Sequence, residues 1–269
     1  MRKRFGSLVG GAVNKKSATT FVPWESNDFV PKDVKEGSVR SALMYLYNVS
    51  SDNFKNEGLP RIALKNQLYS VVGSRTKVDQ EINRLRENFD IKMFKTSLGP
   101  EQYCVMFTDD YVEYIRSLYS DHTSKDVDRK AKGKPMPLCL TKFITEVVTS
   151  YSEVSIDRDY LIKRKKFKDT DITELIKIGV LTGKDVSSWW LAIPCAGKFM
   201  KIIRKGRQGT LQIIRRTKYK EINSQELLKR KKPLSVKLGF LYHIHDLIGA
   251  DMVACVTSTT GLLLKAVDD

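Results

Sequence analysis

From Gly37 onward, apolar positions recur at a helical spacing: Val39, Ala42, Leu43, Leu46 and Val49 follow the i, i+3, i+4, i+7 rule and share one face. Leu59-Pro60 opens a second, short helix with Ile62, Leu64 and Leu68, and Val72-Gly73 breaks it. Ser74 is then placed to cap a third helix that turns Val78, Ile82 and Leu85 inward. After Asn88 the pattern changes to strands. These are predicted at Ile91 to Lys95 and Gln102 to Phe107 around a Ser97-Leu98-Gly99-Pro100 turn, and Thr108 is placed to cap a closing helix with Tyr111, Ile115 and Leu118. Helix, helix-turn-helix and β-hairpin, in that order, are the syntax of a winged helix.

That syntax is read twice more. Leu140, Phe143, Ile144, Val147 and Val148 form a first helix, Asp157 to Lys163 a second, and Asp169 caps a third that Gly179 ends. Val180 to Thr182 and Trp189 to Ile193 are the strands, turning at Gly183-Lys184-Asp185. The last round has a long helix from Ala196 to Thr217, a second from Ser224 to Arg230 and a third from Val236 to Ile248. A hairpin of Met252 to Thr257 and Gly261 to Lys265 follows. The expected fold is therefore mainly α with small β-hairpin wings (α+β), as three tandem winged-helix domains over residues 36–121, 136–195 and 196–269. The charged stretch Asp121 to Pro137, broken by Gly133, Pro135 and Pro137, is expected to separate folding units. Residues 1–35, with Arg2-Lys3-Arg4 and Lys15-Lys16, show no sustained period and are expected to be a flexible basic arm.

Charge narrows the function. The 269 residues carry 47 Lys and Arg against 31 Asp and Glu, a net +16, which makes a polyanion the first partner to consider. Between Ala196 and Lys232 stand thirteen basic residues against only Glu221 and Glu226. No apolar run approaches the ~18 to 20 residues needed to cross a bilayer. Met1 to Lys16 lacks the apolar core of a secretory signal, so no membrane partner is expected and the location is cytosolic or nuclear. Cys104, Cys139, Cys195 and Cys255 contain no C-x-x-C pair and are expected to be buried, reduced thiols.

Laid out at about 100° per residue, the helix from Ala196 to Thr217 gathers Phe199, Ile202, Ile203, Gly206, Ile213 and Ile214 on a buried face. Lys198, Lys201, Arg204, Lys205, Arg215 and Arg216 fall opposite, with Gln208 and Gln212 between them. A solvated helix face usually interleaves acids, and this helix contains none. Uncompensated cations over several turns fit a phosphate backbone, where counterion release favours binding. The expected DNA-binding residues are Lys201, Arg204, Lys205, Arg207, Arg215, Arg216, Lys218 and Arg230, joined by Arg75 at the start of the first domain's third helix. Lys77 and Lys163-Arg164-Lys165-Lys166 hold comparable positions, but Asp79, Glu81, Asp169, Asp171 and Glu174 on the same helices would meet phosphate poorly.

Other chemistry is weaker. One of Trp189 and Trp190 is expected in the core and the other between domains, since adjacent strand residues face opposite ways. His243, His245 and Asp246 resemble metal ligands, but on a helix the two histidines point about 200° apart, so no metal and no cofactor is expected. Asp157 and Asp159 read as helix-start acids rather than a catalytic pair. No G-x-S-x-G, Walker loop, H-E-x-x-H or kinase Asp-Phe-Gly is present, so no catalytic residue is assigned.

Gly179-Val-Leu-Thr, Ser188-Trp-Trp-Leu-Ala-Ile-Pro194, Lys205-Gly-Arg-Gln208, Lys218-Tyr219, Glu226-Leu-Leu228 and Tyr242-His-Ile-His-Asp-Leu-Ile-Gly-Ala250 closely resemble the serine/threonine-protein kinase 19 family. The likeness runs from about Arg40 to Leu264, with Gln67-Leu-Tyr-Ser70 and Phe107-Thr-Asp-Asp-Tyr111 in the first domain. It implies a nuclear, DNA-binding protein of three tandem winged helices in transcription-coupled nucleotide excision repair. The implied partners are stalled RNA polymerase II, the Cockayne syndrome A protein, the UV-stimulated scaffold protein A and the helicase of transcription factor IIH. Double-stranded DNA is the expected ligand, with RNA and a second copy of the chain as further candidates. The expected function is thus a non-enzymatic DNA-binding repair scaffold; the rival readings are a serine/threonine protein kinase and a purely protein-binding adaptor.

Overall fold

The computed structural model describes residues 30–31, 34, 38–99, 101–119, 135–259 and 261–267. Helix α1 (Val39–Val49) opens with the Ser38 hydroxyl accepting from the Ser41 amide at 3.3 Å and buries Val39, Ala42, Leu43, Leu46 and Tyr47. After α2 (Ser51–Asn56) and the short strand β1 (Ala63–Leu64), α3 (Lys65–Val72) begins where Gln67 Oε1 accepts from the Leu64 amide at 2.7 Å. Ser74 caps α4 (Arg75–Glu87) as its sequence position predicts, accepting from the Lys77 amide. Strands β2 (Ile91–Lys95) and β3 (Tyr103–Phe107) form the hairpin, and α5 (Thr108–Ser117) closes this part of the chain. Thr108 lies one position inside α5, and its hydroxyl donates to the Phe89 carbonyl instead of capping.

The next round contains α6 (Leu138–Phe143), which continues as a π-helical turn over Ile144–Val148, strand β4 (Ser155–Asp157), a π-helical turn at Tyr160–Arg164 and α7 (Asp169–Ile178). The hairpin β5 (Leu181–Asp185) and β6 (Ser188–Leu191) completes it. Asp157 ends a strand here instead of starting a helix. Asp169 lies one residue past the α7 cap and pairs with Arg158 at 2.9 Å, while the Asp171 carboxylate accepts from the Lys168 amide. The last round is α8 (Ala196–Arg215), β7 (Glu221–Asn223), α9 (Ser224–Lys229), α10 (Phe240–Gly249) and the hairpin β8 (Val253–Ser258) and β9 (Gly261–Ala266). Helix α10 begins at Phe240, four residues after its predicted start, because Pro233 to Val236 forms a turn closed by the Val236 amide at 3.0 Å.

The protein is an α+β chain with small antiparallel sheets. Among the described residues there are three sheets, ordered β1-β3-β2, β4-β6-β5 and β7-β9-β8, so each hairpin gains a third strand from the segment ahead of α3, of the π-helical turn at Tyr160–Arg164 or of α9. Those added strands are two or three residues long, too short to show a period of two in sequence.

The interior does not divide along the three sheets. One apolar cluster joins Phe54, Phe94 and Tyr111 to Phe143, Leu175 and Leu191, and both to Phe199, Ile203 and Tyr242. Two smaller clusters lie under α1, α3 and α4 and between α8, α10 and β9. Val30, inside the stretch expected to be a flexible arm, is buried within the first of these. Residues 1–29, 32–33 and 35 of the predicted arm, and residues 121–134 of the predicted linker, lie outside the described residues. All four cysteines are free thiols; Cys104 and Cys139 are buried and Cys255 is partly so, but Cys195 is exposed in the left-handed residue that precedes α8.

Candidate nucleic-acid interface

Twenty residues make α8 about 30 Å long at 1.5 Å per residue. Phe199, Ile202, Ile203, Gly206, Thr210, Leu211 and Ile214 are its buried residues; Ile213, expected in this set, is only partly covered. Burying such a stripe anchors the helix at about 1.5–3 kcal/mol per large side chain. The opposite arc is exposed and carries Lys201, Arg204, Lys205, Arg215 and Arg216 within about 120° of the circumference. Among the described residues, Lys201 and Lys205 have no hydrogen-bond or acidic partner, and Arg204 leans on the Ser97 carbonyl of the β2–β3 turn at 3.4 Å. The arrangement is a row of exposed cationic heads along one helix, which suits a polyanion with regularly spaced charges.

Arg207 does not belong to that row. Its guanidinium reaches both carboxylate oxygens of Asp246 on α10, Nε at 2.8 Å and an Nη at 2.7 Å, and also contacts Gln102 Oε1. Asp246 is fully buried and also accepts from Asn66 Nδ2 at 2.7 Å, so the pair joins α8, α10, α3 and the β2–β3 hairpin. Arg207, expected to meet phosphate, is instead placed on a buried carboxylate that engages its charge. Helical geometry carried the signal: at about 100° per residue Arg207 stands about 120° away from Lys201, at the edge of the buried face.

Three further expected residues are exposed but engaged. Arg75 forms a two-toothed pair with Asp251 at 2.6 and 2.8 Å and lies over the Tyr69 ring. Arg230 pairs with Glu226 one turn back at 2.5 Å, and Lys218 lies 5.1 Å from the centre of the Tyr219 ring. Exposed pairs of this kind are worth at most about 1 kcal/mol and yield to a phosphate.

In DNA-bound helix-turn-helix proteins the second helix of the motif enters the major groove, and α10 is the last helix of its round. Here it is buried between α8 and α3, with Tyr242, His243, His245, Asp246 and Gly249 all inaccessible. Both histidines are buried. His245 links the Ser70 hydroxyl at 3.0 Å to the Tyr45 hydroxyl at 3.3 Å, and burial pushes its pKa down to about 3. Burial likewise pushes His243 to about 4, against the pull of Asp246. Trp189 packs against the large core, whereas Trp190 is half-buried under the Lys184 ammonium at 4.8 Å.

Residues 40–266 match the model of a family described as inactive serine-threonine protein kinase 19. The chain belongs to this family. Its relatives include proteins named winged helix repair factor 1 from Mus musculus, 37% identical over 238 residues that cover 88% of this chain and 89% of the relative, and from Homo sapiens, 36% identical over 229 residues that cover 85% of each. A third, from Xenopus laevis, is 34% identical over 83% of this chain and 82% of the relative. The family is one of inactive kinases, and the chain is not an enzyme. Among the described residues, no helix is long and apolar enough to cross a membrane.

In this family member, the feature that sequence reasoning missed is the polar seam between α3 and α10. Gln67 Nε2 donates to the Tyr242 carbonyl at 2.9 Å, the Tyr242 hydroxyl donates to the Ile62 carbonyl at 2.7 Å, and Asn66 reaches Asp246. Asn66, Gln67, Ser70 and His245 read in sequence as scattered polar positions on otherwise apolar helices. That interruption of two amphipathic stripes was the available signal, and it named no partner.

Proposed function

We propose that this chain is a scaffold of three tandem winged helices, over residues 36–121, 136–195 and 196–269, that binds duplex DNA in the nucleus. Its role is in transcription-coupled nucleotide excision repair. The reading rests on one observation above all: the exposed arc of α8, where Lys201, Arg204, Lys205, Arg215 and Arg216 stand on a helix that contains no acid. The repair factor names of its relatives support the setting. Burial of α10 directs the contact toward phosphates instead of base edges, since the reading helix of that unit is covered. Stalled RNA polymerase II, the Cockayne syndrome A protein, the UV-stimulated scaffold protein A and the helicase of transcription factor IIH are the proposed partners around that DNA.

Duplex DNA affinity measured across a salt series tests this, because the log-log slope counts phosphate contacts at about 0.9 each. A steep slope is expected. Lys201→Glu with Arg215→Glu should weaken binding while melting behaviour stays native, since both side chains are exposed. Unchanged affinity in a folded double variant, or a flat salt response in the wild type, would remove the proposal.

A further inference from the structure

The chain between α9 and α10 places an apolar side chain at the margin of the basic arc. Lys229-Arg230-Lys231-Lys232 runs directly into Pro233-Leu234, and Leu234 is 94% exposed. A leucine standing free in water gains nothing from that position in the isolated protein. Its surroundings are mainly cationic: Leu234 shares a hollow of about 400 Å³ with Lys198, Lys201, Lys205, Lys237 and Ile202, and the nearby acid Glu57 is paired with Lys237 at 2.9 Å.

Its position is also fixed. The Val236 amide closes a turn on the Pro233 carbonyl at 3.0 Å, Val236 is fully buried two residues beyond Leu234, and Lys232 Nζ donates to Asn53 Oδ1 at 2.9 Å. The turn sits directly on α8 at Gly209, where an added Cβ would fall 2.4 Å from the Ser235 hydroxyl. A glycine inside a helix costs about 1 kcal/mol relative to alanine, so close approach of this turn gives Gly209 a packing reason. The result is a proline-leucine tip anchored beside the exposed cations of α8.

Resting on the DNA-binding reading above, we propose that Leu234 is a wedge that enters a base step of the bound duplex, so that the preferred ligand is DNA whose stacking is already weakened. Leu and Pro are among the side chains that unstack steps in this way, and the few kcal/mol that unstacking costs fall when the step holds a mismatch or bulge. The cations supply attraction without sequence preference, and the wedge adds a preference for deformable DNA. A protein partner for the same tip would need acids to face the lysines as well as a pocket for the leucine. The continuity of the tip with the α8 arc favours the duplex.

The test compares binding to a matched duplex and to the same duplex with one central mismatch or one-base bulge, for the wild type, Leu234→Ala and Leu234→Phe. End-to-end energy transfer reports the bend. The wild type should favour the weakened duplex by about tenfold and bend both. Leu234→Ala should bind the two alike, bend neither, and keep the wild-type salt slope and melting temperature; Leu234→Phe should keep the preference. Equal affinities in the wild type, or a preference that survives in Leu234→Ala, would overturn the wedge and leave the phosphate contacts standing. Loss of salt-dependent affinity for every duplex would instead overturn the DNA reading, and the wedge with it.

Discussion

A cation on α8 is either a binding group or a structural one, and its partner decides which. Lys201 and Lys205 end in water, so their replacement should leave stability nearly unchanged. Arg207 ends on a carboxylate with no exposed surface, and Arg207→Ala would leave that charge uncompensated. The expected cost is about 3–5 kcal/mol in denaturant unfolding, with no change in the DNA salt slope of whatever fraction stays folded. His243 and His245 make a second prediction. Both are held neutral, with pKa values lowered from 6.5 to about 4 and about 3, so below pH 6.5 the unfolded chain binds protons that the folded one refuses. Stability should be fully present above pH 6.5 and should fall steadily as pH drops toward 4. His243→Leu should flatten that slope in melts recorded across the range; an unchanged slope would show that other groups carry it.

At the scale of elements, the crossing of α3 and α10 is set by Gly249. A Cβ there would lie 1.8 Å from the Asn66 carbonyl oxygen, so the helices touch backbone to backbone. Gly249→Ala gains about 1 kcal/mol in helix propensity but must separate the crossing, at about 1–3 kcal/mol. A net fall in melting temperature is expected. Gly197 in the first turn of α8 is the control: nothing lies within 4 Å of its added Cβ, so Gly197→Ala should be neutral or stabilising. The long amphipathic elements were legible in sequence for the same physical reason, since α1, α4 and α8 each bury one continuous stripe. Helix starts were less so. Ser74 caps α4 as its position implies, but Asp169, read as the cap of α7, lies one residue inside it, and it is the Asp171 carboxylate that reaches back to the Lys168 amide.

At the scale of the whole molecule, one large apolar cluster draws residues from all three rounds, and this bears on how the protein unfolds. Because Phe94 of the first round, Leu175 of the second and Ile203 of the third sit in the same apolar cluster, none of the three rounds can leave without exposing the others' residues in it. Thermal unfolding followed by far-ultraviolet circular dichroism and by tryptophan fluorescence should give coincident transitions. Three separable transitions would instead mean that each unit keeps a core of its own. A fragment of residues 196–269 should fail to fold, since Phe199, Ile202 and Tyr242 would face water.

The sequence by itself determined the α+β class, the order of helices and hairpins, and the basic arc of α8, because each of these is written in residues close together along the chain. Amphipathic periods, turn residues and runs of lysine act locally, and they survive whatever the chain later packs against. Tertiary structure alone decided which of those cations remained free. Arg207 and Lys205 differ by two positions and look equivalent as charges, yet a carboxylate 39 residues away in α10 buries one and leaves the other in solvent. It also decided that α10 is interior and that Leu234 is not. Both outcomes depend on Asn66, Gln67 and Gly209 meeting chain far from them in sequence, and contacts between distant segments leave no period to read.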